Sequence, residues 1–403
     1  MIIRRQPTDF QVRETLRPDL LRTQPDAFTL FSVEKTSLTT PEAAARLAKA
    51  LGVKASVVSY AGLKDKHAVT HQHMAVPTAK NDSSEGGAST GQGPGPDALS
   101  QARGITAKQI GYCPSALSAA DIERNSFVIV VRGCTRANIA AFHKRGGSVR
   151  TPTGDLPIVN YFGEQRFGSA RHGAGFIAAH LIKGEFEQAL KLAIATPARK
   201  DSGSRREFTR AAATNWGNWK RAVKLTPACP QRAALEALAA GKDAREAFAE
   251  LPYVEQEIFV DAYQSHLWNR IVAAWARNSP YLLESSNLRE DGMVFPADGR
   301  WPGYVAAPAI DLPSPSASYE PGLARIVTKV LEEEQTDLRS LTIPGLRRPA
   351  FTRASRPAVV WARNVSMEIS KDEVSGGKAH AATFSFDLPP GTYATVALRL
   401  LGQ

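Results

Sequence analysis

The spacing of hydrophobic and polar residues changes character several times along the chain. Residues 26–36, "DAFTLFSVEKT", carry aromatic and β-branched side chains in the manner of a strand. Thr39 and Thr40 then offer capping hydroxyls, and Pro41 suits a first helical turn. In "PEAAARLAKALG", Ala44, Leu47, Ala48 and Leu51 fall on one helical face, and Gly52 supplies a stop. "VKASVVSYAG" reads as a strand leading into a turn at Gly62, so that Lys64 and Asp65 are delivered by a strand end or turn. Residues 122–133, "IERNSFVIVVRG", predict a strong strand with Glu123, Asn125, Phe127, Ile129 and Val131 on one face. "RANIAAFHKRGG" is helical and ends near Gly146.

From Gly175 to Asn278 the helical period dominates. "FEQALKLAIAT", "QRAALEALAAG" and "VEQEIFVDAYQSHLWNRIVAAWAR" are helices, and in the last Phe259, Tyr263, Leu267, Ile271 and Ala274 recur at three and four. Near the end, "HAATFSFDLPPGTYATVALRLL" reads as a strand, a Pro-Gly turn and a short helix or strand. A helical block between two mixed stretches predicts an inserted domain. Residues 80–104 are rich in Gly, Ser and Pro and read as a mobile loop. Their glycines make no phosphate loop, because no G-K-[ST] follows.

Composition narrows the class. A chain of 403 residues, 43% hydrophobic, can bury two cores. It has no apolar run long enough for a membrane helix and no leader-like hydrophobic start. Cys113, Cys134 and Cys229 are far apart and form no C-x-x-C pair, which fits a reducing compartment, the cytoplasm. The net charge of +11 is partly clustered. Residues 199–224 mix eight Lys or Arg with Phe208, Trp216 and Trp219, and residues 345–363 mix arginines with Phe351 and Trp361. Cations beside aromatics suit looped RNA, whose phosphates need charge and whose bases need stacking faces. A solubility charge spread over the surface is the plainer alternative. His67, His71 and His73 have no nearby carboxylate or Cys beyond Asp65, and Val69 and Thr70 argue against a helix there, so no metal is expected.

Four stretches in order resemble the TruD family of tRNA pseudouridine synthases: "AGLKDKHAVTHQ" (61–72), "RNSFVIVVRG" (124–133), "NYFGEQRFG" (160–168) and "DAYQSHLWN" (261–269). "DFQVRE" (9–14) is similar to the family's start and "LPPGTYATVALRLL" (388–401) to its end; the loop at 80–104 has no counterpart. The resemblance implies an α+β fold. A catalytic domain, mixed α/β around an antiparallel sheet, would comprise 1–157 and 345–403, with a helix-rich inserted domain at 158–344. It also implies isomerisation of uridine to pseudouridine in tRNA, at position 13 in the family's bacterial members. No cofactor is expected, since no redox change or outside energy is needed.

Asp65 occupies the catalytic position, with Lys64 beside it; the carboxylate would attack C1′ or remove the C2′ proton. Asn125 is implied to position the carboxylate, and Phe127 to stack on the target base. Glu14 would support the site. Phe127 read from its strand alone is a core aromatic, and Glu14 a surface ion pair. "NYFGEQRFG" is a packing hinge or part of the RNA cleft, and "DAYQSHLWN" a buried helix face. Arg205, Arg206, Lys220, Arg347 and Arg348 are candidates for phosphate contacts. The expected partner is tRNA, with no membrane and no obligate protein partner, and the working form a monomer. The competing classes are an RNA-binding or RNA-chaperone protein of this fold without turnover, and a helical module whose basic face binds protein or lipid.

Overall fold

A computed structural model describes residues 1–78, 104–149, 154–168, 175–197, 201–278, 292–295, 307–377 and 379–402. Apart from Gly104, the loop expected at 80–104 lies outside them. The strands are β1 (Ile2–Ile3), β2 (Phe10–Leu16), β3 (Phe28–Thr36), β4 (Ser59–Tyr60), β5 (Val69–Pro77), β6 (Ile105–Cys113), β7 (Ile122–Cys134), β8 (Leu156–Val159), β9 (Ala309–Asp311), β10 (Ser355–Pro357), β11 (Val359–Lys371) and β12 (His380–Leu388). The α-helices are α1 (Thr40–Leu51), α2 (Arg136–Val149), α3 (Ile177–Leu181), α4 (Phe186–Ile194), α5 (Gly203–Thr214), α6 (Trp219–Leu225), α7 (Arg232–Ala239), α8 (Ala244–Ala249), α9 (Tyr253–Arg277), α10 (Pro321–Glu333) and α11 (Ala394–Leu400). Among the described residues no helix is long and apolar enough to cross a membrane.

The chain forms two compact units. The first comprises Met1–Ile158 and Val360–Gln403. Its sheet runs β6-β3-β5-β2-β7-β12-β11-β8, with β1 added beside β7 and β4 beside β5. The neighbours β2 and β5 are parallel, whereas β3, β7 and β12 pair antiparallel with theirs. The fold is thus α+β. Helix α1 starts as its sequence dictates: the Thr39 hydroxyl accepts from the Glu42 amide, and the Glu42 carboxylate accepts from the Thr39 amide. Such a cap is worth about 1 kcal/mol. Gly52 closes the helix with φ of 69°, a conformation that costs glycine nothing. The Ala44–Leu47–Ala48 face packs on Phe31, Val33 and Met74 of the sheet. "VKASVVSYAG" is not one strand but a 3₁₀ turn, Ala55–Val57, followed by the two residues of β4.

The second unit comprises residues 159–295 and 307–359. In α9 the predicted face is buried at Phe259, Tyr263, Leu267 and Ile271. The sequence reading returned the chain to the first unit at 345, yet residues 345–359 stay with the second. The cause is non-local: β10 pairs antiparallel with β9, and the Leu312 amide donates to the Ala354 carbonyl at 2.8 Å.

Candidate active site

One face of the first unit's sheet carries the site, and strand register sets its layout. Lys35 of β3 pairs with Thr70 of β5, Thr70 with Val12 of β2, Val12 with Phe127 of β7, and Phe127 with Phe386 of β12. Residues two apart share a face, so Gln72 and Glu14 lie on it too, with Asn125 opposite Glu14. Along this face, β3 and β5 become apolar in one direction, at Val33, Phe31 and Met74 under α1. Strands β2, β7 and β12 become apolar in the other, at Phe10, Ile129 and Phe384, where Phe142 of α2 packs edge-on against Phe384 at 5.2 Å. Between these two apolar regions lies a band of polar side chains.

Asp65 sits in the loop between β4 and β5, above that band. Arg4 Nη2 donates to Asp65 Oδ2 at 2.7 Å, and the carboxylate keeps 28% of its surface exposed. Arg4 has φ of 60° and stacks its guanidinium over the Phe10 ring at 4.1 Å. A non-glycine residue in that conformation is uncommon and marks a place where the surroundings fix the backbone. Beside it, the Lys64 ammonium forms a buried ion pair with Glu14. Glu14 also accepts from the His73 amide at 3.0 Å and faces its Nδ1 at 3.2 Å. A side chain at Gly62 would meet that ammonium at 3.3 Å, a reason for glycine there. The Lys64 amide donates to the Thr40 hydroxyl at 2.9 Å, which donates to Gln72 Oε1 at 3.1 Å.

Electrostatics follow from this packing. Burial pushes the Glu14 carboxyl up, but the hydrogen bonds from His73 and the charge of Lys64 outweigh it and hold the group below its usual range. Lys35 is fully buried, and burial lowers its ammonium to about 8, with Asp65 pulling it back up and Lys64 lowering it further. Four buried polar atoms around the band have no hydrogen-bond partner among the described residues: Arg4 Nε, Thr70 Oγ1, Gln72 Nε2 and Asn125 Oδ1. Unpaired buried polar groups cost stability, and native folds tolerate them chiefly where function needs them.

The structure therefore brings Glu14, Lys64, Asp65, Asn125 and Phe127 into one region. Arg4 holds the carboxylate, and Asn125 lies over the sheet opposite Glu14. Phe127 is buried, its ring 6.1 Å from Phe10 and 5.8 Å from Phe386. Sequence reasoning missed Arg4, Lys35, Thr40, Gln72 and His73. Lys35 had a signal: it continues the row Phe31, Val33 at period two on the core face. His71 Nδ1 faces Glu34 at 3.5 Å while His73 turns to Glu14.

The phosphate candidates belong to the second unit. Arg206, Lys220, Arg347 and Arg348 are exposed. Arg205 is drawn inward, donating to the Ala193 carbonyl at 3.1 Å and lying 3.7 Å from Glu255. Of the aromatics among these basic runs, Phe208 and Phe351 are buried, while Trp216 and Trp219 meet edge to face at 5.0 Å, half-exposed. "NYFGEQRFG" and "DAYQSHLWN" pack on each other. Asn269 brackets the Phe162 backbone with bonds of 2.8 and 2.9 Å, Phe162 meets Trp268 at 5.5 Å, and Arg166 pairs with Asp261 at 2.8 Å.

Comparison with known proteins bears on this arrangement. The family model for tRNA pseudouridine synthase D (TruD) matches residues 1–401. A tRNA pseudouridine synthase D from Aquifex aeolicus is 29% identical over 404 residues, covering 99% of this chain and 97% of that protein. A probable tRNA pseudouridine synthase D from Methanopyrus kandleri is 30% identical, covering 97% of this chain and 89% of that one. The crystal structure of a putative TruD from Methanosarcina mazei superposes with a TM-score of 0.67 at 22% identity, covering 99% of this chain and 92% of that one, a likeness of fold. From its first strand to its last helix, the chain belongs to the TruD family of tRNA pseudouridine synthases.

Proposed function

We propose that this protein converts uridine to pseudouridine in tRNA, at position 13, with Asp65 as the acting carboxylate. The reaction breaks the bond between C1′ and N1, turns the uracil while it is held, and joins C5 to C1′. The observation that carries the reading is the Asp65 carboxylate itself. It is accessible, held by Arg4 at 2.7 Å, and set over a buried band of polar groups. The guanidinium fixes one carboxylate oxygen through a charge-assisted hydrogen bond, and the carboxylate would either attack C1′ or remove the C2′ proton.

Asn125 and Phe127 would receive the base, and the Asn125 amide oxygen, which has no hydrogen-bond partner among the described residues, supports a role in contacting substrate. Lys64 and Glu14 neutralise each other beneath it. Exposed Arg206, Lys220, Arg347 and Arg348 would meet tRNA phosphates. Free thiols at Cys113, Cys134 and Cys229 support a reducing compartment such as the cytoplasm. The working form we propose is a monomer, which light scattering checks.

Unmodified tRNA incubated with the purified protein, followed by a nucleotide-resolution pseudouridine map, tests the reading. Pseudouridine at position 13 with wild type and none with Asp65→Asn is the expected result. An unmodified map, or equal modification by Asp65→Asn, overturns it.

A further inference from the structure

Lys35 has no place in the chemistry described above, yet it is among the largest fully buried side chains of the protein. Burying an ammonium is costly, and the usual remedy is a carboxylate partner. Among the described residues Lys35 has none in hydrogen-bond contact. Its Nζ donates instead to three main-chain carbonyls: Leu38 at 2.6 Å, Asp65 at 2.9 Å and Lys64 at 3.4 Å. An ammonium has three N–H groups, so its donors match these acceptors in number.

The acceptors are not arbitrary. Leu38 precedes helix α1, while Lys64 and Asp65 are successive residues of the loop that carries the carboxylate. Two adjacent carbonyls drawn to one nitrogen fix the two peptide planes that flank Asp65, 64–65 and 65–66. Thr40 secures the same loop from the other side through the Lys64 amide. The Lys35 stem is itself anchored, because β3 is paired on both edges, with β5 and with β6. A salt bridge would have satisfied the charge equally well; a carbonyl clamp also restrains a backbone.

We propose that Lys35 is a positioning residue for Asp65: its ammonium ties the Lys64–Asp65 main chain to the central sheet, so that the carboxylate meets Arg4 and the ribose in one orientation. This rests on the reading of Asp65 as the acting group. The electrostatics agree, since Asp65 works against burial to keep the ammonium charged, and the attraction is mutual. Lys64 opposes that charge and Glu42 supports it.

Lys35→Met keeps the stem and removes all three donors; Lys35→Gln retains N–H donors without charge. Three measurements on each full-length variant decide the matter: melting temperature, tRNA Kd, and the single-turnover rate with enzyme in saturating excess. Misplacing a catalytic group by about 1 Å costs roughly 100-fold, so Lys35→Met is expected to lose about that factor in single-turnover rate. Its Kd should stay within about threefold of wild type, and Lys35→Gln should recover part of the rate. A folded Lys35→Met whose single-turnover rate lies within about twofold of wild type overturns the proposal, as does a defect confined to Kd or melting temperature. Should Lys35→Met fail to fold, Lys35→Gln decides by the same criteria, a wild-type rate overturning the proposal and a slowed rate at wild-type Kd supporting it. Asp65→Asn is run in parallel. Turnover by Asp65→Asn sinks the catalytic reading, whereas an inactive Asp65→Asn beside a normal Lys35→Met sinks the clamp alone.

Discussion

The two units each hold a half-buried carboxylate surrounded by cations and aromatics, and they use it differently. In the second unit, Glu334 accepts from His266 Nε2 at 3.0 Å, from the Arg270 guanidinium, and from the Tyr263 hydroxyl at 3.5 Å. Phe176 covers His266 with ring centres 4.6 Å apart. The His266 hydrogen bond, against burial and with help from Arg270, holds Glu334 down at about 2. In the first unit, Asp65 rests on Arg4, and the polar band beneath contains four buried atoms with no partner among the described residues. None of the unpartnered buried side-chain atoms found among the described residues belongs to Glu334, His266, Arg270 or Tyr263. A charge cluster built for stability closes on itself. A cluster that is to meet a substrate, the role proposed for Asp65, leaves donors and acceptors unspent.

The largest expected contrast is kinetic. Asp65→Asn should lower the single-turnover rate by about 10⁴-fold or more, comparable to loss of a nucleophile elsewhere, with tRNA binding changed only a few-fold. Glu334→Gln should leave the rate of folded protein within about twofold, because it touches packing and not reacting atoms. Rapid-quench assays with saturating enzyme check both. A slow Glu334→Gln that binds normally would erase the distinction between the clusters.

The next contrast is in stability. Glu14 and Lys64 are both buried, so Glu14→Gln strands an ammonium; breaking such a pair costs about 3–5 kcal/mol. Replacing both residues with apolar ones should cost less than the single change. Urea unfolding of Glu14→Leu, Lys64→Leu and their double measures this coupling.

How much of this was legible in the sequence follows from distance along the chain. Helix α1 was readable because Thr39, Glu42 and Gly52 act within one element. The face shared by Asn125 and Phe127 was readable because alternation within β7 is local. Lys64 and Asp65 stood out because they are adjacent. Arg4, Lys35, Thr40, Gln72 and His73 join them only through the register of β2, β3 and β5 and the loops they position, which no local pattern encodes. The second compact unit runs on to 359 through a contact of the same kind, since β10 is held by β9 across more than forty residues of chain.

The Glu334 cluster carries a pH signature. Its carboxyl lies at about 2 against an ordinary 4.5. A carboxyl depressed by folding contributes stability that is fully present above the unfolded value and lost as pH falls toward the folded one. Wild type should therefore exceed Glu334→Gln by about 2 kcal/mol at pH 6, and the gap should close as pH falls from about 4.5 to about 2. Denaturant midpoints at several pH values follow the gap. A gap that persists unchanged at the acid end would mean that shape, not charge, holds this cluster together.

The smallest effects belong to surface arginines, where the distinction between spent and unspent groups recurs. Arg205 donates to the Ala193 carbonyl and lies over Phe208 with its guanidinium 5.7 Å from the ring centre, so its charge is already engaged. Arg347 and Arg348 are exposed, and Arg348 also bonds the exposed Tyr253 hydroxyl at the surface. Each phosphate contact releases counterions, and losing one flattens the dependence of log affinity on log salt by about 0.7–0.9. The double change Arg347→Ala, Arg348→Ala removes two such contacts and should therefore flatten the tRNA-binding slope by about 1.4–1.8 and weaken binding several-fold, with melting temperature unchanged. Arg205→Ala should do the reverse, lowering melting temperature through lost packing while the slope holds. Binding titrations from low to moderate salt distinguish the two variants. If Arg205→Ala flattened the slope as much as the exposed pair, an arginine already bonded inside its own unit would still be reaching tRNA, and engagement within the fold would not predict which charges RNA can use.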